Sequence, residues 1–289
     1  MRRFNTLPGV GCTEMTARIR LYTGLILSLL LLGAGGEPAQ AQGWRTASRA
    51  PVGLAPDPAT TPEAVVQVYA ARAVRWRGYI GVHSWIAVKR AAASEFIVYE
   101  VMGWRLRRTG TAVVRSARAP DGRWFGNEPE LLADLRGDAA SVAIQEIERA
   151  VMAYPYANRY RVWPGPNSNT FTAFVLRRVP GLRADLPATA IGKDYLGSRV
   201  VAGAPSGTGI QLNLLGVIGV LAAAEEGLEI NLLGLTFGVD PMDLSLKAPF
   251  VGRIGTNVAA VILAFGLIAV IWLRRYSAVR RIRRLPPRG

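Results

Sequence analysis

The stretch GIQLNLLGVIGVLAAAEEGLEINLLGLTFGVD, Gly209 to Asp240, decides the fold of this chain. Its apolar richness first reads as a membrane hairpin. Three carboxylates, Glu225, Glu226 and Glu229, stand in its middle, and a charge at the bilayer centre costs about 2.5–3.5 kcal/mol on insertion scales. The glycines and the Glu-Glu-Gly turn fit a β-hairpin better. Within the stretch lies a near-repeat, Asn213-Leu214-Leu215-Gly216 and Asn231-Leu232-Leu233-Gly234, eighteen residues apart. The expectation is two long strands, forming a Gly-rich β-hairpin extension over 201–255 that packs near a membrane surface. An amphipathic re-entrant segment is the alternative.

Upstream the period is mostly two. AVVQVYAARA, GVHSWIAVKR and SEFIVYEVMGW read as strands, and TAVVRSAR as a fourth. EPELLADLRGDAASVAIQEIERAVMAY then switches to helical spacing: Leu131, Leu135, Val142, Ile144, Ile147 and Val151 mark one or two helices broken at Gly137. NTFTAFVLRRV reads as a helix stopped by Pro180. Strands first and helices after indicate an α+β domain over 63–200. A Pro-, Ala- and Thr-rich linker or extended arm over 42–62 precedes it.

The ends of the chain carry targeting signals. The 289 residues have a formal charge of +15 and a pI of about 10.9, a balance that calls for an anionic neighbour. Thr256 to Leu273, eighteen residues without a charge, would span about 27 Å as a helix, close to one hydrocarbon core. Seven arginines follow it within the last sixteen residues, over 274–289. An apolar span abutting a polybasic block reads as a transmembrane helix with a cytoplasmic tail. At the other end, Arg2, Arg3, Arg18 and Arg20 precede LYTGLILSLLLLGAGG and an Ala39-x-Ala41 site, the layout of a secretory signal peptide over 1–41, with an uncleaved anchor as the alternative. Both readings place the main domain in the bacterial periplasm, tethered to the inner membrane. Counterion-release binding to nucleic acid is then not expected.

Composition narrows the chemistry. The only cysteine is Cys12, inside the signal region, and the only histidine is His83. A mature chain without thiols has no disulfide and no Cys nucleophile, and one imidazole excludes a multi-His zinc site. No cofactor and no metal is expected.

The remaining constellation centres on VWPGPNSNTFTAF, Val162 to Phe174. Asn167, Ser168 and Asn169 are all good helix N-caps, and a helix N-terminus also offers N–H groups to an oxyanion. A hairpin centred on Ala91 and Ala92 sets His83 opposite Glu100, with Trp85 on the same face, so the carboxylate would orient the imidazole. Ser168 as nucleophile, His83 as base and Glu100 as orienter make one reading; a helix cap and a surface His–Glu pair make the other. Catalysis requires His83 and the Ser168 hydroxyl within hydrogen-bond reach beside an open pocket. Trp76, Trp85, Trp104, Trp124 and Trp163 supply either a binding platform or core. Asn167, Asn169, Trp85, Trp163 and Tyr195 are the candidate groove residues, with AIGKDYLG as a loop closing over them.

A strand His, a following strand with a polar residue, and Asn-x-x-x-Phe opening a helix resemble the circularly permuted papain-like (NlpC/P60-type) superfamily. That resemblance implies a permuted papain-like α+β fold, with Ser168 standing where the family's Cys would be. A hydroxyl is far less acidic than a thiol, so the exchange leaves either a Ser-His-Glu hydrolase or a groove that has lost catalysis, the latter favoured. The strings VQVYAARAVRWRGYIGVHSWIAVK, APDGRWFGNEPELLADLRG, YRVWPGPNSNTFTAFV and TAIGKDYLG more closely resemble a bacterial family catalogued as domain of unknown function 3750, which brings no activity with it.

Two functions follow as expectations. One is a membrane-tethered envelope protein whose papain-like groove binds or hydrolyses peptide or amide-containing envelope material. The other is a non-catalytic structural or assembly protein of the envelope. The expected partners are membrane lipids, together with cell-wall peptide or another envelope protein.

Overall fold

The computed structural model describes residues 45–255 and position 266. Five strands, β1 (Val65–Arg72), β2 (Val82–Lys89), β3 (Ile97–Val101), β4 (Val113–Ala117) and β5 (Pro129–Arg136), form one antiparallel sheet in the order β4-β3-β2-β1-β5. Strand alternation sorts their side chains onto two faces. Val66, Val68, Ile86 and Val88 turn to one side and pack on helices α1 (Gly137–Met152) and α2 (Ser168–Leu176), where Ile144, Ile147, Phe171 and Val175 complete the main core. Val65, Tyr69, Trp85, Ala87 and Val98 turn to the other side and meet Phe96 and Trp124.

That second face is bordered by the arm that precedes β1. Asp121 is buried, and its carboxylate accepts backbone N–H bonds from Val52, Leu54 and Ala55 at 3.2, 2.8 and 3.4 Å. Pro51 bridges Gly122 beside it. One side chain therefore fixes the course of three residues of an otherwise Pro-rich segment.

Seven further strands follow: β6 (Val201–Gly203), β7 (Gly209–Leu214), β8 (Ile218–Ala223), β9 (Gly227–Leu232), β10 (Leu235–Asp240), β11 (Ser245–Ala248) and β12 (Gly252–Ile254). Each pairs antiparallel with its sequence neighbour, giving a seven-stranded meander.

This architecture corrects the expected fold class. The described chain is mostly β, two antiparallel sheets with few helices, and not a permuted papain-like α+β domain. Residues 129–136 form strand β5 where a helix was expected. The Leu131/Leu135 spacing fits one helical face, but it also fits every second residue of a strand, and a register shift at Val68/Tyr69 sends Leu131 to one face and Leu135 to the other. Gly137, at φ +69°, turns the chain from β5 into α1.

The two long strands of a hairpin are likewise corrected to four short ones, because each Asn-Leu-Leu-Gly motif is a turn. Leu215-Gly216 and Leu233-Gly234 all take positive φ, the geometry of tight hairpin turns of the primed type. The Asn213 and Asn231 side chains accept from the N–H of Gly216 at 2.7 Å and Gly234 at 3.0 Å, closing each turn.

Among the described residues no helix is long and apolar enough to cross a membrane. On that finding the expected C-terminal transmembrane helix is corrected, and with it the inner-membrane placement with a periplasmic main domain and cytoplasmic tail. The segments that prompted those expectations, 1–41 and 256–273, and the basic tail 274–289 lie outside the described residues, apart from position 266.

Candidate functional site

Asn167, not Ser168, caps α2. Its Oδ1 accepts from the N–H groups of Asn169 and Thr170 at 3.0 and 3.1 Å, while the Thr170 hydroxyl accepts from the Asn167 N–H at 3.1 Å, completing a capping box. Ser168 is the first helical residue, 3% exposed, and its hydroxyl has no hydrogen-bond partner among the described residues. The same tetrad reaches outward. Asn167 Nδ2 donates to the carbonyls of Val162 and Ile191, Asn169 Nδ2 to those of Val82 and Ile191, and the Thr170 hydroxyl to that of Gly192. Asn167 and Asn169 thus staple the 191–192 loop to β2 and α2 and leave no side-chain amide for a substrate. Gly192 sits at φ +94°, and a Cβ there would meet the Asn167 amide at 2.4 Å.

His83 and Glu100 do come together. His83 Nε2 lies 2.9 Å from Glu100 Oε2, and Arg118 donates to Glu100 Oε1 at 3.2 Å. The pairing is diagonal rather than directly opposite: the register runs Ile86↔Tyr99 and Ala87↔Val98, which continues to set Glu100 across from Trp85. The carboxylate is fully buried. Burial alone would raise its pKa, but the His83 hydrogen bond and field, and Arg118 behind them, outweigh it and hold the carboxyl below its ordinary value. The imidazole lies flat on Trp124, centroids 3.7 Å apart and 7° between planes, and Trp104 covers Trp124 in turn.

The Ser-His-Glu constellation is not assembled. Ser84, the next residue along β2, bonds Asn169 and Thr172 of α2 and points at the Ser168 carbonyl. His83 faces the opposite way, into the Trp85–Trp124 layer. The serine and the histidine therefore stand on opposite faces of the five-stranded sheet. A cleft of about 590 Å³ opens elsewhere, bordered by Arg72, Glu128, Asp185, Lys247 and Arg253, and neither residue lines it.

The other groove candidates engage neighbouring parts of the chain. Trp85 is fully buried, its indole N–H donating to the Pro120 carbonyl at 2.8 Å. Trp163 is half exposed but donates to the Leu233 carbonyl at 2.8 Å, gripping the β9–β10 turn. Tyr195 packs edge-on against Tyr156, and a Cβ on Gly165 or Gly216 would strike its ring. Of the remaining tryptophans, Trp124 is buried whereas Trp76 and Trp104 are exposed. Asn127 closes a tight turn with Trp124.

Sequence reasoning missed a layer of buried charge that the 191–195 loop feeds. Lys193 donates to Glu229 Oε2, and Lys247 donates to Glu229 Oε1 at 2.9 Å and lies 2.6 Å from Asp185. The Lys193, Glu229 and Lys247 side chains are 1–2% exposed. Burial would lower the Lys193 pKa, but Glu229, Asp194 and Asp185 around it hold it above its ordinary value. Asp194 accepts from Gln211 at 2.5 Å and Asn231 at 2.7 Å. Arg177, at the end of α2, donates to the carbonyls of Gly203 and Lys193 and to Gln211, and desolvation lowers its pKa to about 10. The inward faces of β7, β9, β10 and β11 are thus polar, with Gln211, Asn213, Glu229, Asn231, Thr236, Asp240, Ser245 and Lys247 all buried, while β8 turns Leu221 inward.

The outward face is the reverse. Ile210, Leu212 and Leu214 on β7, Ile218 and Val220 on β8, Leu228, Ile230 and Leu232 on β9, and Phe237 and Val239 on β10 are each 40–55% exposed. The alternation in GIQLNL and GLEINL, read as pure period two, carries this signal; reading them for apolar content alone hides it. A solvated antiparallel sheet normally presents its apolar face to the core and its polar face to water, so this sheet is inverted.

Comparison with curated proteins and with solved structures found no match. Residues 63–195, from the strand before β2 through the loop that delivers Lys193, match the model of the family described as protein of unknown function (DUF3750), which supports that family assignment for the part of the chain preceding the seven-stranded sheet.

Proposed function

We propose that this protein is a non-catalytic assembly component whose working surface is the outer face of the seven-stranded sheet. One observation carries the reading: β7–β10 turn isoleucine, leucine, valine and phenylalanine outward, while their amides and charges are turned inward. Contiguous exposed apolar patches on monomeric soluble proteins rarely exceed a few hundred Å², and larger ones mark interaction sites. The expected catalytic groups lend no competing support, since Ser168 and His83 face away from each other across a sheet.

Hydroxyl-radical footprinting of the full chain inside cells tests this. Protection of Leu212, Val220, Ile230 and Phe237 beyond what their 43–51% exposure accounts for, with Trp76 and Met152 at 62% and 80% as freely labelled references, is the expected result, unchanged by Ser168→Ala or His83→Ala. Labelling of the four at the rate of freely exposed side chains would overturn it.

A further inference from the structure

We infer that the outer face of the seven-stranded sheet packs on the same face of a second copy of this chain; the inference rests on the proposed role of that face as the working surface. The first argument is where the sheet keeps its apolar layer. Toward the segment 185–195 it presents buried amides and ion pairs, among them Glu229 with Lys193 and Gln211 and Asn231 with Asp194. Buried ion pairs are weak sources of net stability, because desolvation offsets their attraction. The hydrophobic layer that a sheet needs lies on the outer side, where one chain provides nothing to cover it among the described residues.

Shape and size fit a second sheet. Val201↔Leu212, Leu212↔Val220, Val220↔Ile230 and Ile230↔Phe237 are direct cross-strand partners, a row running over five strands. Aligned sheets pack through such rows about 10 Å apart, as in a β-sandwich. Seven strands about 4.8 Å apart, six residues long in β7–β10 and three to four in β6, β11 and β12, give a projected face of about 500 Å². The exposed Leu215, Leu233 and Phe250 at its hairpin ends extend it toward the ~800 Å² per partner of a standard interface. A face on which every outward position of β7–β10 is apolar is also complementary to itself under a twofold axis, as an isologous dimer requires.

Sedimentation velocity on the full chain in detergent-free buffer should give twice the chain mass of 31.2 kDa, and Ile230→Glu should return it to one with the far-UV spectrum retained. Should Ile230→Glu fail to fold, a Cys12→Ser/Val220→Cys variant treated with a short bismaleimide decides: a cross-linked dimer supports the inference, and its absence overturns it. A wild-type monomer that co-sediments with phosphatidylcholine–phosphatidylglycerol vesicles, and loses this with Ile230→Glu, would overturn the second copy while leaving the face as the working surface. A monomer that ignores vesicles, with the face labelled as freely as Trp76 in cells, would overturn both. A dimer unmoved by Ile230→Glu and without a Val220→Cys cross-link would place the contact elsewhere and overturn the inference.

Discussion

Replacing Glu229 by Gln tests how the seven-stranded sheet is held to the segment that precedes it. The carboxylate lies between two buried ammonium groups, Lys193 and Lys247. Lys247 keeps Asp185 at 2.6 Å and the Glu226 carbonyl at 2.7 Å. Lys193 has no other side-chain hydrogen bond among the described residues, so Glu229→Gln strands its charge at 1% exposure. Breaking one side of a buried pair costs about 3–5 kcal/mol. At roughly 2–4 °C per kcal/mol for 150–250 residues, the melting temperature falls by about 6–20 °C. Thermal unfolding followed by circular dichroism, at one fixed protein concentration, reads this directly. Lys193→Met should cost less, because Glu229 keeps Lys247, and Lys193→Met/Glu229→Gln should cost clearly less than the two singles together, because the stranded charge is gone. A loss under about 1 kcal/mol for Glu229→Gln, or strict additivity in the cycle, would show that the charges are hydrated and that no such polar layer joins the seven-stranded sheet to the 185–195 segment.

Three further outcomes follow from the same contacts. Asn167→Ala should lose about 1 kcal/mol for the cap and up to about 1 kcal/mol more for the part-buried Val162 carbonyl it leaves without that donor, the Ile191 carbonyl keeping Asn169, whereas Ser168→Ala should be neutral or stabilise by up to about 0.5 kcal/mol, since alanine is the better helix former; urea unfolding of the two separates a cap from a nucleophile. Gly192→Ala should destabilise beyond the ordinary Gly→Ala range, because a Cβ there meets the Asn167 amide at 2.4 Å with φ at +94°, and a stability equal to wild type would contradict the staple. The Glu100 carboxyl is held below its ordinary 4.5, so the folded state binds fewer protons there than the unfolded state; its stabilising contribution is full above about pH 4.5 and is lost as pH falls through the folded pKa. Glu100→Gln should therefore flatten the acid limb of the stability–pH curve, measured by urea unfolding between about pH 6 and 3, and an unchanged limb would remove His83 and Arg118 as its partners.

Much of the five-stranded sheet was legible because its strands alternate cleanly, and the His83–Glu100 pair was reachable from that alternation alone. Their register was not, since a hairpin slipped by one residue on each arm keeps the same faces together. Residues 129–136 misled because Leu131 and Leu135 satisfy both periods and only a bulge, a tertiary feature, separates them. Ser168 was ambiguous for a physical reason: three consecutive cap-capable residues satisfy the same local rule, and the choice of Asn167 is made by Val162 and Ile191, which supply carbonyls for its amide. The inversion of the second sheet was written in GIQLNL and GLEINL, but which of two alternating faces is buried depends on Lys193 and Asp194 arriving from another part of the chain.

The meander also bears on how the chain folds. Every strand from β6 to β12 pairs with its neighbour in sequence, so its contacts are local and form quickly, whereas β1 must wait for β5, with Val65 meeting Arg136. During synthesis, however, the meander leaves the ribosome after the five-stranded sheet and its helices. The slow, non-local layer therefore has a head start, and Lys193 and Asp194 follow it just ahead of the strands they neutralise. An apolar sheet face that formed first, with no docked layer behind it, would be an aggregation hazard; the order of segments along this chain keeps that interval short.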